Sequence, residues 1–128
     1  MKKRRRAYLS GRRAETWAAW YLRLKGYRIL ARGFRLSVGE IDLVARRGSI
    51  LAIVEVKRRA SLTAGLEAIS PRQRRRLARA GEAFQARRPR LRELRLRFDV
   101  VIIIPRALPR HIMDAWRPDS RVGGGSRH

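Results

Sequence analysis

The sequence predicts a single α/β domain, a mixed central sheet flanked by helices, and three observations carry that reading. Phe98 to Ile104 is a nearly unbroken apolar run, as expected of a strand covered on both faces. Ile41 to Ala45 and Ile50 to Val56 flank Arg46-Arg47-Gly48-Ser49, the pattern of a hairpin with a short glycine turn. Stretches of helical periodicity stand before and after that hairpin. At 128 residues the chain suits one domain with a core that needs no disulfide or metal staple.

In chain order, residues 1–10 are expected to form a disordered basic arm. The start MKKRRR resembles the opening of a signal peptide, but Tyr8 to Glu15 supplies no apolar run of the required length. From Arg12 to Lys25 a helix is predicted, with Ala14, Trp17, Ala18, Tyr21 and Leu22 as its apolar stripe and Gly26 as its C-terminal cap. Glu15 has two readings there: a carboxylate favoured by the helix dipole, or a third acid reaching the hairpin. Tyr27 to Phe34 has the content of a first strand, and Leu36 to Val38 leads into the hairpin.

After Lys57 come Arg58 and Arg59, then a connection through Ser61, Thr63 and Gly65. It reads as a loop, either closing over a phosphate backbone or simply mobile. Ser70-Pro71 is a strong helix start, and Pro89 ends that helix near Arg87 or Arg88. Leu77, Ala80, Gly81 and Phe84 give the helix a narrow buried stripe, while Arg72, Arg74, Arg75, Arg76 and Arg79 load its first half with charge suited to tracking phosphates. Gln73, in the first turn, is either an exposed side chain or a donor to a site carboxylate or a substrate. Asp99 is expected to pair with a nearby arginine, and His111 to Trp116 to form an edge strand with His111 incidental. The domain is placed at residues 11–117, with a flexible tail over 118–128.

The hairpin gathers acids. If Gly48-Ser49 is the turn, Arg47 pairs with Ile50, and counting outward sets Asp42 opposite Glu55 and Glu40 opposite Lys57. A turn at Arg47-Gly48 shifts the partners by two residues but keeps the same face. Paired carboxylates on a mostly buried strand repel each other unless a proton or cation lies between them. A hard divalent cation such as Mg²⁺ suits an Asp/Glu pair on adjacent strands. Lys57, on the face of Glu55, is placed to orient a water or to stabilise phosphoryl oxygens. The plainer reading is a hairpin edge with an ordinary Glu40–Lys57 ion pair.

Composition narrows the partner. Of the 33 basic residues 29 are Arg and four are Lys, so an ammonium at position 57 stands out against the chain's own habit. Formal net charge is +23 and the pI is near 12.0, which a polyanionic partner explains best, above all nucleic acid. There is no cysteine, which excludes disulfides, thiolate zinc sites and a cysteine nucleophile. No stretch is apolar for long enough to span a membrane. The expectation is a soluble, cytoplasmic protein without a membrane partner.

Glu15, then Gly39-Glu-Ile-Asp42, then Glu55-Val-Lys57 together resemble the active-site pattern of the PD-(D/E)xK nuclease superfamily, the restriction-endonuclease-like fold. Arg97-Phe-Asp-Val-Val101 and Ile112 to Trp116 make the chain similar to one branch, the YraN-like family of predicted endonucleases. The resemblance covers Gly11 to Arg117, and the acid spacing is also similar to that of archaeal Holliday-junction resolvases. It implies Mg²⁺, with Mn²⁺ as substitute, held by Asp42, Glu55, the Val56 carbonyl and Glu15. It further implies Lys57 near the attacking water, Glu15 as a further ligand or a positioner of water, and Glu40 as a supporting residue or auxiliary ligand. Ile41 stands where the superfamily has a proline. The activity implied is endonucleolytic cleavage of DNA, including branched DNA, with Arg58, Arg59, Arg72, Arg75, Arg76 and Arg79 on the backbone and a homodimer for symmetric cutting. The alternatives are a non-catalytic nucleic-acid-binding domain of the same fold and a basic protein that docks on RNA or the ribosome.

Overall fold

The computed structural model of the protein describes residues 2–118. Its elements are α1 (Lys2–Leu24), β1 (Arg28–Leu36), β2 (Gly39–Arg47), β3 (Ile50–Arg58), α2 (Leu62–Glu67), α3 (Pro71–Ala86), β4 (Arg95–Ile103) and β5 (Arg110–Trp116), with a 3-10 turn at Pro89–Leu91. The strands form one sheet in the order β1-β2-β3-β4-β5. Only β3 and β4 are parallel. Parallel neighbours need a long crossover, and α2 and α3 supply it. This is the α/β fold expected, a mixed sheet between helices, consistent with a restriction-endonuclease-like architecture.

The hairpin turns at Gly48-Ser49, because Arg47 pairs with Ile50. Gly48 has φ +59°, a conformation open to glycine at little cost. α3 begins as the Ser70-Pro71 pair dictates: Ser70 Oγ accepts from the Gln73 N–H at 3.1 Å. Two elements differ from the sequence reading. α1 starts at Lys2 rather than Arg12, taking in residues expected as a basic arm. The loop after Arg59 contains α2, whose N-cap Ser61 accepts from the Ala64 N–H at 3.1 Å. Apart from Pro118, the expected tail lies outside the described residues.

Each face of the sheet buries one layer of side chains. Ala14, Ala18, Ala19 and Leu22 of α1 pack on Leu43, Ala45, Ala52, Val54, Val101 and Ile103. On the other face, Leu77, Ala80 and Phe84 of α3 pack on Val44, Leu51, Ile53, Phe98, Val100 and Ile102. α3 lies close to the sheet at Gly81, where a Cβ would come within 2.9 Å of Ile53 Cγ1. The small residues of α1 likewise allow a close approach. Trp17, expected in its stripe, is instead 44% exposed.

Candidate active site

β2 and β3 separate where the acids lie. Paired residues 47/50, 45/52 and 43/54 sit at alternate rungs, and the pairing ends at Leu43–Val54. The next rung of an antiparallel ladder would use the Val56 N–H. That N–H donates to Asp42 Oδ2 at 2.8 Å instead. From Glu55 onward β3 is held on its other side by β4, with Glu55 beside Val100 and Lys57 beside Ile102. The site is therefore a fork between two strands, with Asp42 on one arm and Glu55 and Lys57 on the other.

β2 also loses its strict alternation here. Gly33 of β1, level with Asp42 between the Arg32–Leu43 and Phe34–Ile41 pairs, has φ +57°. Leu43 then packs under α1, while Ile41, two residues away, joins the α3 layer. A left-handed residue interrupts the pleat and re-aims its neighbours. Glu40 leaves the expected surface as a result. It pairs with Arg35 Nη2 at 3.6 Å, half exposed, and not with Lys57.

Glu55 is 4% exposed. Lys57 Nζ lies 3.1 Å from its Oε2, and Gln73 Nε2 donates to the same oxygen at 2.7 Å. Of the two sequence readings of Gln73, the donor to a site carboxylate is the one observed. Burial, with the Asp42 charge beside it, raises the Glu55 carboxyl to about 8 despite Lys57. Burial also raises Asp42, against the pull of the Val56 N–H. The pair thus shares a proton in preference to carrying two charges. Glu15, from α1, is raised to about 7 by partial burial and then by the Asp42 charge. It borders the fork without completing a cluster: among the described residues no three acidic, imidazole or thiol side chains are grouped to hold a metal.

The expected basic side chains are on the surface. Arg58 and Arg59 follow Lys57 and are exposed, as are Arg72, Arg75, Arg76 and Arg79 on the helix that carries Gln73. Sequence reading missed a second polar centre on the α1 face. Asp99, 0% exposed, accepts from Arg97 Nε at 2.8 Å and Nη2 at 2.7 Å and from the Asp114 N–H at 3.0 Å. It also lies 2.8 Å from His111 Nε2. Lys25 Nζ is 2.6 Å from His111 Nδ1, so both ring nitrogens of His111 have polar partners. Burial alone would raise Asp99, but the bonds from His111, Arg97 and the Asp114 N–H hold it below the usual carboxylate range. His111 is a structural anchor, not an incidental residue. That Asp99 would pair with a nearby arginine was the one part of this centre expected, and the arginine is Arg97.

A mixed five-stranded sheet carrying an acid pair, a lysine and a glutamine at a strand fork defines the chain as a single-domain α/β protein with a polar site between two strands. Within that class the chain belongs to the uncharacterised protein family UPF0102, whose model matches residues 14–103. It is 57% identical over 112 residues to a UPF0102 protein of Parvibaculum lavamentivorans, covering 88% of this chain and 84% of that one. It is 54% identical over 113 residues to one from Paramagnetospirillum magneticum, covering 85% and 88%. A third, from a Caulobacter species, is 54% identical over 112 residues, covering 86% and 79%.

Proposed function

We infer that the fork is the active site of a Mg²⁺-dependent endonuclease acting on DNA. The observation that carries this reading is the meeting of a half-buried carboxyl, Asp42, with a buried one, Glu55, at the point where β2 leaves β3, with Lys57 Nζ 3.1 Å from Glu55. The donor set fits the ion. Asp42 and Glu55 are hard oxygen ligands kept apart from bulk water, their mutual repulsion is incompletely relieved by Lys57, and the Val56 carbonyl would add a third oxygen. When bound, Mg²⁺ supplies Lewis acidity toward phosphate oxygens.

The chain's own residues do the rest. Gln73 and Lys57 fix the Glu55 carboxylate from two directions, and the Val56 N–H fixes Asp42. Lys57 is the ammonium at the fork, suited to orienting a water and stabilising charge that grows on phosphoryl oxygens. Glu15, ionising near 7, is poised to take or give a proton at the rim. The exposed arginines of α3 and of the β3 end hold backbone phosphates. Glu40 acts on this site only as a nearby charge.

The test is cleavage of labelled duplex, single-stranded, flap and four-way DNA with Mg²⁺, Mn²⁺ or EDTA. Wild type should cut with metal only. Asp42→Ala and Lys57→Ala should each lose at least about 10²-fold in rate. No cutting by wild type, with equal binding by all three proteins, would replace this reading with that of a non-catalytic binding domain.

A further inference from the structure

Trp17 and Trp20 are 44% and 55% exposed, an unusual place for two large aromatic side chains on a monomeric surface. They line a shallow depression of about 420 Å³ with Arg12, Arg13 and Thr16. Trp17 and Arg13 also line a second groove of about 660 Å³, bounded by Arg58, Arg106 and Leu108. Arg58 directly follows Lys57, and Ala14 on the same groove directly precedes Glu15, so the second groove is bounded by chain neighbours of two residues of the site. The Arg23 guanidinium lies 5.5 Å from the Trp20 ring centre. Nothing in the core explains these rings, because the buried stripe of α1 is made by Ala14, Ala18, Ala19 and Leu22.

We propose that Trp17 and Trp20 form a stacking platform for unpaired nucleobases, so that the nucleic acid bound carries a single-stranded segment. The proposal rests on nucleic acid being the partner of the fork. Charge selects the occupant: a second copy of a chain with net charge +23 is repelled by this arginine-lined surface, whereas a polyanion is drawn to it. The rings select among polyanions. A base exposes its π-face only when it is out of the duplex, and indole faces between arginines are the usual platform for it.

The test is binding in EDTA, where nothing is cut, followed by tryptophan emission. The probes are a short single-stranded deoxyoligonucleotide, an abasic strand with the same number of phosphates, the blunt duplex, and vesicles of anionic phospholipid. The based strand should quench emission and bind about tenfold more tightly than the abasic one. Trp17→Ala should erase that difference and Trp17→Phe should keep most of it, both at exposed positions that leave the core intact. Equal binding of based and abasic strands, or quenching by vesicles with no effect of the bases, would overturn the proposal. Base-dependent quenching in a protein that cuts nothing would retain the platform while removing the nuclease reading. Failure to bind any nucleic acid would remove both.

Discussion

Two buried carboxylates, Asp99 and Glu55, lie on opposite faces of one sheet and are treated in opposite ways. On the α1 face Asp99 is surrounded by more donors than it needs, from Arg97, His111 and the Asp114 N–H, and is held low. On the α3 face Asp42 and Glu55 share one ammonium, one amide and one backbone N–H, and both are pushed up. The first is what a fold does with a buried acid it uses as a bolt. The second leaves two carboxyls whose ionisation burial disfavours, which stabilises nothing in the free protein and is the arrangement expected of a site.

The largest effect should come from the bolt. Asp99→Ala leaves Arg97 and the Lys25–His111 pair facing each other without their anion, and removing one partner of a buried pair costs about 3–5 kcal/mol. Much of the protein should be unfolded at 37 °C by circular dichroism, and a variant as stable as wild type would end the distinction. Glu55→Gln should do the reverse. It keeps the shape and the Gln73 contact but removes the charge that burial disfavours, so chemical denaturation at pH 8 should show a gain on the order of 2–4 kcal/mol.

The pH profiles should differ in sign. Glu55 has a folded value of about 8 against an ordinary 4.5, so the folded state binds the extra proton and stability falls as pH rises through that window. Asp99, held low, contributes stability that is present above its ordinary value and is lost only as pH falls toward the folded one. Metal-free wild type should therefore lose stability between about pH 5 and 8, read from Tm, and regain it on acidification until Asp99 is protonated. The smallest effect belongs to the exposed Arg35–Glu40 pair. Arg35→Ala should change stability by about 0–1 kcal/mol and leave cleavage unaffected, whereas a large loss of cutting would return Glu40 to the site.

Local signals were legible where the chemistry is local. The Gly48-Ser49 turn fixed the register that brings Asp42 to Glu55, and Ser70-Pro71 placed Gln73 in the first turn of α3. What escaped was non-local. Glu40 left the surface because of a left-handed glycine on a different strand, Gly33, and strict alternation has no way to register that. The Asp99 centre draws Lys25, Tyr27, Arg97 and His111 from three separate stretches, Arg97 Nη2 also donating to the Tyr27 hydroxyl at 2.5 Å. Trp17 fitted the helical period of α1 but not the space, since a helix pressed to the sheet by alanines has no room beneath it for an indole. Ser61 was the available sign of α2.

The most direct test of the contrast is Tm at pH 8 for wild type and Glu55→Gln, in EDTA and then with Mg²⁺. Under-compensated acids predict that the variant is the more stable protein without metal, and that Mg²⁺ raises Tm for wild type by several degrees and for the variant by little. A wild type that is more stable than the variant without metal, and indifferent to Mg²⁺, would show Asp42 and Glu55 to be a structural pair like Asp99.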